Sequence, residues 1–363
     1  MVAEQNQGVT TKIRKGSQEH PTNNNTVLIV NPNSASGSTG KDWDALYNKI
    51  KDSFGENPKV AFTKKSGDGT TLTRNFLKKG FKNIVAVGGD GTINEVANGF
   101  FEKEQKSIIG SNGHHYKKRD STLYDDKPTI FKPINPEAVL TILPCGTRNV
   151  LLKSLGLPAE LMVCCQTFAR GNPKKIDVIS AIVTNPSNRS TTTSRIFLNA
   201  AEIGVAAEII DRSKKIRDKV KSRIVSTVSS VVATLPTYES NLCEISIDDG
   251  RENILTKMTM GVIANGKYLG GGFKAASDAN VSDGLLDIVI LKSSGSFKML
   301  EEFISMKNGN YDSKGDIFYM QAKKVAIKPK EEGEVMTVTI DGEPIGILPA
   351  TFQVIESALT IRT

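Results

Sequence analysis

Short apolar runs alternate with amphipathic stretches through the first half of the chain. Val27-Leu28-Ile29-Val30 reads as a buried strand, and Leu46, Ile50 and Phe54 recur at four-residue spacing, predicting a helix over 44–54. Val60 to Thr63 is a second strand, the segment 67–79 is helical in its second half, and Ile84-Val85-Ala86-Val87 is a third strand. Ile93, Val96, Ala97, Phe100 and Phe101 then fall on one helical face, and Val139 to Leu143 is another apolar run. Strand and helix in this alternation predict a parallel sheet covered on both faces. After Pro173 the period changes to two. Cys243, Ile245 and Ile247, then Val325 and Ile327, then Met336, Val338 and Ile340 predict half-buried antiparallel strands. The expected fold class is α/β, with an N-terminal parallel-sheet domain followed by a β-rich sandwich or open barrel.

One helix interrupts the second half. Ile216, Val220, Ile224, Val228, Val231, Val232 and Leu235 form its apolar stripe, with Lys214, Lys215, Arg217, Lys219, Lys221 and Arg223 crowding its first turns. Such a helix lies on an anionic bilayer or packs its stripe on a sheet, and both readings stand. Two segments carry no periodicity. Residues 1–24 are polar and expected to be a disordered tail, and 102–137 reads as a long polar loop for which disorder is the favoured reading.

Length and charge add bounds. The chain has 363 residues, enough for about two domains, and a net charge of +8, which favours anionic membrane surfaces or polyphosphates. No apolar run approaches the roughly 18 residues of a spanning helix, and no signal peptide is read ahead of the first strand, so a cytoplasmic protein is expected. Cys145, Cys164, Cys165 and Cys243 lack metal-site spacing and read as reduced core thiols; the three histidines lie in polar stretches.

The candidate chemistry gathers at Gly88-Gly89-Asp90-Gly91, followed by Thr92-Ile93-Asn94-Glu95, which has the spacing of a capped helix start. A buried strand, a glycine turn and a helix N-terminus make an anion site, because backbone N–H groups reach phosphate oxygens and the helix dipole favours negative charge. Asp90 would be repelled there unless it held a metal or water or took a catalytic role. The plain alternative is a strand–helix turn without a ligand. SASGSTGK after the first strand is no Walker loop, since Ala35 and Asp42 stand where that pattern needs Gly and Ser or Thr.

GGDGTINEVANG resembles the signature of the diacylglycerol kinase catalytic-domain family, whose GGDGT core is shared with NAD kinases. Asn31-Pro32-Asn33-Ser34 is similar to the family's first loop, and Pro144-Cys145-Gly146-Thr147-Arg148-Asn149 to its LPxGTxN motif, with Val150 where many members have Asp. Phe197–Gly204, Asn265-Gly266, Gly270-Gly271-Gly272 and Asp283-Gly284-Leu285-Leu286-Asp287 resemble strands and turns of its lipid kinases. The resemblance implies that NAD kinases differ from this chain in that second half. Relative to the family, 102–137 is an insertion.

The resemblance implies an ATP-dependent lipid kinase, with residues 25–172 binding nucleotide, 350–363 returning to that domain, and 173–349 binding lipid. ATP would be held by Asn31, Thr63, Gly88, Gly89, Asp90, Gly91, Thr92, Asn94, Glu95, Gly146 and Thr147. Asp283 with the carbonyls of Asn280 and Leu285 would bind a structural Mg²⁺, where the alternative is an Asp-Gly hairpin turn. Glu343, of Asp341-Gly342-Glu343, would be the general base, with Asp90 sharing that role. A diacylglycerol or sphingoid-base type of acceptor at a membrane surface, peripheral membrane contact and no nucleic-acid partner are expected. Oligomeric state is left open, a homodimer included. A soluble acceptor such as NAD, or a non-catalytic nucleotide-binding regulator, stays as the alternative.

Overall fold

A computed structural model of the chain describes residues 25–54, 58–105, 129–220, 230–231, 233–270, 273–292, 296–309 and 316–363. The tail expected over 1–24, the middle of the polar segment and the stripe positions Ile224, Val228 and Val232 lie outside the described residues, as do Gly271 and Gly272.

The first half runs β1 (Thr26–Val30), α1 (Ser38–Lys41), α2 (Trp43–Ile50), β2 (Lys59–Phe62), α3 (Asp68–Lys78), β3 (Asn83–Gly88) and α4 (Asp90–Gly99), then β4 (Phe101–Gln105), β5 (Thr129–Pro133), β6 (Val139–Pro144), α5 (Val150–Ser154) and α6 (Leu161–Arg170). Strands β2, β1, β3 and β6 pair in parallel in that order, with Val27 beside Ile84 and Ile84 beside Leu140. Every residue of β1, β3 and β6 is buried, as parallel strands covered on both faces require.

The segment expected to leave the pattern at Glu102 starts and ends as strand. Strands β4 and β5 pair antiparallel, Phe101 opposite Pro133 and Gln105 opposite Thr129. Phe101 and Phe131 are buried and anchor this ladder, while its remaining positions are rich in charge, which hid it from a reading based on apolar alternation.

The second half comprises β7 (Pro173–Asn185), β8 (Asn188–Phe197), β9 (Ala200–Gly204), α7 (Val205–Val220), β10 (Asn241–Ile247), β11 (Glu252–Ala264), β12 (Leu286–Lys292), α8 (Ser296–Lys307), β13 (Ile317–Ala322), β14 (Lys324–Pro329), β15 (Thr337–Ile340) and β16 (Glu343–Arg362). Antiparallel pairing joins β7 with β8 and β16, and β9 with β11 and β15. The apolar positions of β10, β14 and β15 point into a core with Phe197 and Phe352, whose rings meet edge to face at 6.3 Å. Each fully buried ring contributes roughly 1.5–3 kcal/mol. A further core lies where Val205 and Ile209 of α7 and Met299 and Phe303 of α8 pack on Val262 and Val289. The start of the basic helix therefore rests on the sheet.

Strand β16 ties the halves together. It pairs with β7 along most of its length and ends parallel to β6, Thr360 beside Val139. Its closing part, 350–362, is one strand bent at Ser357, whose φ is 51°. The bend coincides with the register shift between Ile355 and Leu359.

Candidate active site

Four loops converge because four parallel strands end on the same edge of the sheet. Asn31 follows β1, Thr63 follows β2, the glycine turn follows β3 and the Cys145–Asn149 turn follows β6. Ligands of open parallel sheets bind at this edge. Asn31 Nδ2 donates to Thr92 Oγ1 at 2.9 Å, and the Cys145 N–H donates to the Gly88 carbonyl at 2.9 Å. The turns after β3 and β6 touch backbone to backbone. A Cβ on Gly146 would stand 2.5 Å from Gly89 Cα, and one on Gly88 would stand 2.5 Å from Thr92 Cβ, so neither position admits a side chain without movement.

Asp90 stitches these two turns. Its Oδ1 accepts hydrogen bonds from the N–H groups of Val150 at 2.8 Å and Leu151 at 3.3 Å, satisfying the N-terminus of α5, whose N-cap Asn149 has φ 47° and makes no side-chain cap. Burial raises the Asp90 carboxyl above its usual range, opposed by those two N–H groups and by the Arg148 charge. Asn94 and Glu95 are engaged with protein. Glu95 accepts the N–H groups of Gly67 and Gly69, both at 2.9 Å, at the start of α3. Asn94 donates to Asp341 Oδ2 at 2.8 Å and accepts from Arg195 Nε at 3.0 Å. Thr147 is exposed.

The second half meets this edge at the tight turn between β15 and β16. Asp341 and Gly342, at φ 50° and 81°, reverse the chain so that Glu343 opens β16. A Cβ built on Gly91 would lie 3.0 Å from Glu343 Oε1, so the absence of a side chain at Gly91 is what admits the carboxylate to the glycine turn. Arg195 Nη1 holds the other oxygen of Glu343 at 3.3 Å. Arg195 thus connects α4 of the first half to Glu343 of the second.

Behind Glu343 stand two further acids. Thr339 Oγ1 donates to Glu202 Oε2 at 2.6 Å, and the Ala200 N–H donates to Asp341 Oδ1 at 3.2 Å. Burial pushes Glu202 up to about 7, opposed chiefly by the Thr339 hydrogen bond. Burial likewise pushes Asp341 up to about 7; the Ala200 N–H opposes this, and the charges of Glu202 and Asp90 add to the rise. Arg195, Glu202 and Asp341 were not singled out from sequence. A lone glutamate inside the apolar run Ala200-Ala201-Glu202-Ile203 was the available signal, since a carboxylate there must be hydrogen-bonded or neutral.

The expected cation turn is separate in sequence. Asp283 Oδ1 accepts the Leu285 N–H at 3.0 Å, and Asn280 Oδ1 accepts the Ser282 N–H at 3.2 Å. Gly284 has φ 75° and donates its N–H to the buried Asp177 Oδ2 at 2.7 Å. Asp287 accepts from Tyr319 OH through Oδ1, while its buried Oδ2 has no hydrogen-bond partner. Burial pushes Asp287 up to about 6, with the Asp283 charge adding to the rise. Among the described residues no group of three or more His, Cys, Asp or Glu side chains could hold a metal, so a cation here would rely on carbonyl oxygens beside the Asp283 carboxylate. Oxygen donors in a region crowded with carboxylates have the chemistry a hard cation takes.

A glycine turn on a parallel sheet, faced by an acid from a strand-rich second half, agrees with what comparison with known proteins finds. Residues 25–181 match the diacylglycerol kinase catalytic domain, and residues 199–363 match the YegS C-terminal NAD kinase beta sandwich-like domain, so the second half does not set the chain apart from NAD kinases as expected. Residues 25–181 are thus a diacylglycerol kinase catalytic domain, and with the kinase-named relatives they support a lipid kinase enzyme. It is 24% identical over 328 residues to the diacylglycerol kinase of Bacillus subtilis (strain 168), covering 90% of this chain and 91% of that one. It is 23% identical over 339 residues to the diacylglycerol kinase of Staphylococcus saprophyticus, covering 93% and 94% of the two chains. The crystal structure of a diacylglycerol kinase from Bacillus anthracis str. Sterne shares the fold, with a TM-score of 0.60, 22% identity, and coverage of 93% of this chain and 96% of that one. Among the described residues no helix is long and apolar enough to cross a membrane.

Proposed function

We propose that the chain transfers the γ-phosphoryl group of ATP to the hydroxyl of a diacylglycerol or sphingoid-base type of lipid, with residues 25–172 and the closing strand residues 350–363 holding nucleotide and 173–349 holding lipid. The observation that carries this reading is the placement of Glu343 against Gly91, a carboxylate from the second half set on the glycine turn of the first. The backbone of Gly88, Gly89, Gly91 and Gly146, with Asn31, Thr63, Thr92 and Thr147, faces the phosphates. Asp90, Asn94 and Glu95 shape that cradle through their protein contacts, and the second oxygen of Asp90 is the one left for the metal. Mg²⁺, when bound with ATP, neutralises phosphate charge. Glu343 takes the proton of the acceptor hydroxyl as its oxygen bonds to the γ-phosphorus and the bond to the β-phosphate oxygen breaks, releasing ADP. Arg195 fixes the Glu343 carboxylate in that direction. The Asp283 turn, with carbonyls of Asn280 and Leu285, binds a second cation whose role is structural. Contact with lipid takes place at a membrane surface, helped by the positive net charge.

The test is transfer of ³²P from γ-labelled ATP into diacylglycerol, sphingoid base and other lipid alcohols presented in vesicles, with NAD as a parallel acceptor. Label in a lipid fits the reading. Label only in NAD, or in no acceptor, overturns it.

A further inference from the structure

A cavity of about 720 Å³ lies beneath the β4–β5 ladder, floored by α3 and α4 and closed on its far side by β8. Its walls carry four basic side chains, Arg74, Lys78, Lys103 and Arg195, against three carboxylates, Glu95, Glu102 and Glu104. Arg74 enters from α3, Lys103 from β4 and Arg195 from β8. Two of these cations donate to backbone oxygens: Lys103 Nζ, which also lies 6.0 Å from the centre of the Phe131 ring, donates to the Ser194 carbonyl at 2.5 Å, and Arg74 Nη2 donates to the Phe101 carbonyl at 3.0 Å. Arg74 Nε is buried and has no hydrogen-bond partner.

The acids that border the cavity are already engaged. Glu102 pairs with Lys78 at 2.5 Å, Glu104 pairs with Lys132 at 2.5 Å, and Glu95 is held by the amides of Gly67 and Gly69. Those same contacts take up the N-terminal amides of α3, so the positive character of the cavity comes from side chains. Burial, then the charges of Arg74 and Arg195, hold the Lys103 ammonium below its usual range. Arg195 is paired with the Glu343 carboxylate, so Arg74 and Lys103 are the two cations whose crowding in a partly enclosed space an entering counter-charge would offset. A phosphate group supplies that charge, and its oxygens match a guanidinium fork and an ammonium together.

We propose that this cavity binds a phosphate monoester, held by Arg74 and Lys103 and bordered by Arg195, at a place framed by the β4–β5 ladder, with Arg195 shared with the Glu343 carboxylate on the glycine turn. The cavity is large enough for a phosphate with an organic substituent. Two sources share this chemistry, a soluble phosphate ester and the head group of a phosphatidate-type lipid.

The test uses the full chain with its lysines ¹³C-methylated, the Lys103 resonance being assigned as the one missing from Lys103→Met. Lys103 feels the charges of Arg74 from α3 and Arg195 from β8, and the same cavity wall carries Lys78, Glu95, Glu102 and Glu104. The probes are inorganic phosphate, glycerol 3-phosphate, and phosphatidylcholine vesicles with or without phosphatidate. The expected result is a saturable shift of the Lys103 resonance and a rise in its titration midpoint, with Arg74→Gln weakening the response at least ~10-fold. A response to both soluble probes supports a free ester, and a response to phosphatidate vesicles alone supports the head group. No movement of Lys103 with any probe, or an undiminished response in a folded Arg74→Gln protein, overturns the proposal.

Discussion

Replacing Asp90 separates its structural work from any part it takes in catalysis. Asp90→Ala removes the acceptor of two N–H bonds, from Val150 and Leu151, at the start of a buried helix. Each stranded amide costs about 1–3 kcal/mol, and loss of a helix cap alone costs about 0.5–2 kcal/mol. These overlap, so a loss of about 2–4 kcal/mol is expected. Asp90→Asn keeps an oxygen at Oδ1. Two charge-assisted bonds become neutral ones, a loss of about 1 kcal/mol, offset by relief of the burial that already disfavours the charged carboxyl. Asparagine should therefore lie within about 1 kcal/mol of wild type. Its kcat should still fall at least ~10²-fold if, as proposed, Asp90 lies beside the metal and phosphates, because that charge is gone. Urea unfolding at pH 7.5 reads the first quantity and steady-state turnover the second. Equal stability of Asp90→Ala and wild type would refute the stitching of the two turns. Wild-type turnover in Asp90→Asn would confine Asp90 to structure.

Three more outcomes follow from the same contacts. Arg195→Met removes the partner of Glu343, so kcat should fall about 10-fold with ATP affinity little changed, and Arg195→Lys should recover part of it; an unchanged kcat in Arg195→Met denies the positioning role. Glu202 is more readily protonated folded than unfolded, so its contribution to stability is full below the unfolded value near 4.3 and is lost as pH rises through about 7. Relative to wild type, Glu202→Gln should accordingly gain about 1–3 kcal/mol between pH 5 and pH 8 in urea titrations, and a constant difference across that range contradicts this. If the Asp283 turn binds a cation, EDTA should lower the melting temperature of wild type but not of Asp283→Ala, and identical melting of the two proteins in EDTA and in Mg²⁺ shows that no such site exists.

The parallel sheet was legible because its strands are buried on both faces and spell continuous apolar runs, as Ile84–Val87 does. The alternating strands around Cys243, Val325 and Met336 were legible for the complementary reason, since one face is polar. The β4–β5 ladder was not, because Glu102, Lys103 and Glu104 carry no apolar alternation and the pairing depends on Phe101 and Phe131, far apart in sequence. Among site residues, the glycines announced themselves through the turn they require. Arg195 did not. Its importance comes from reaching both Asn94 and Glu343, 101 and 148 positions away, and no local pattern encodes such a meeting. Asp341 was in view only as the first residue of Asp341-Gly342-Glu343, although its carboxylate joins α4 to β9.

The central claim is that a carboxylate brought from β16 to the glycine turn accepts the proton of a lipid hydroxyl. Glu343→Gln keeps the size and hydrogen-bonding reach of that side chain and removes its ability to accept a proton. Its kcat, measured by ³²P transfer from ATP to vesicle-borne lipid with ATP affinity as the folding control, should fall about 10²–10⁴-fold while ATP binds as to wild type. A Glu343→Gln protein that phosphorylates lipid at the wild-type rate would contradict the account.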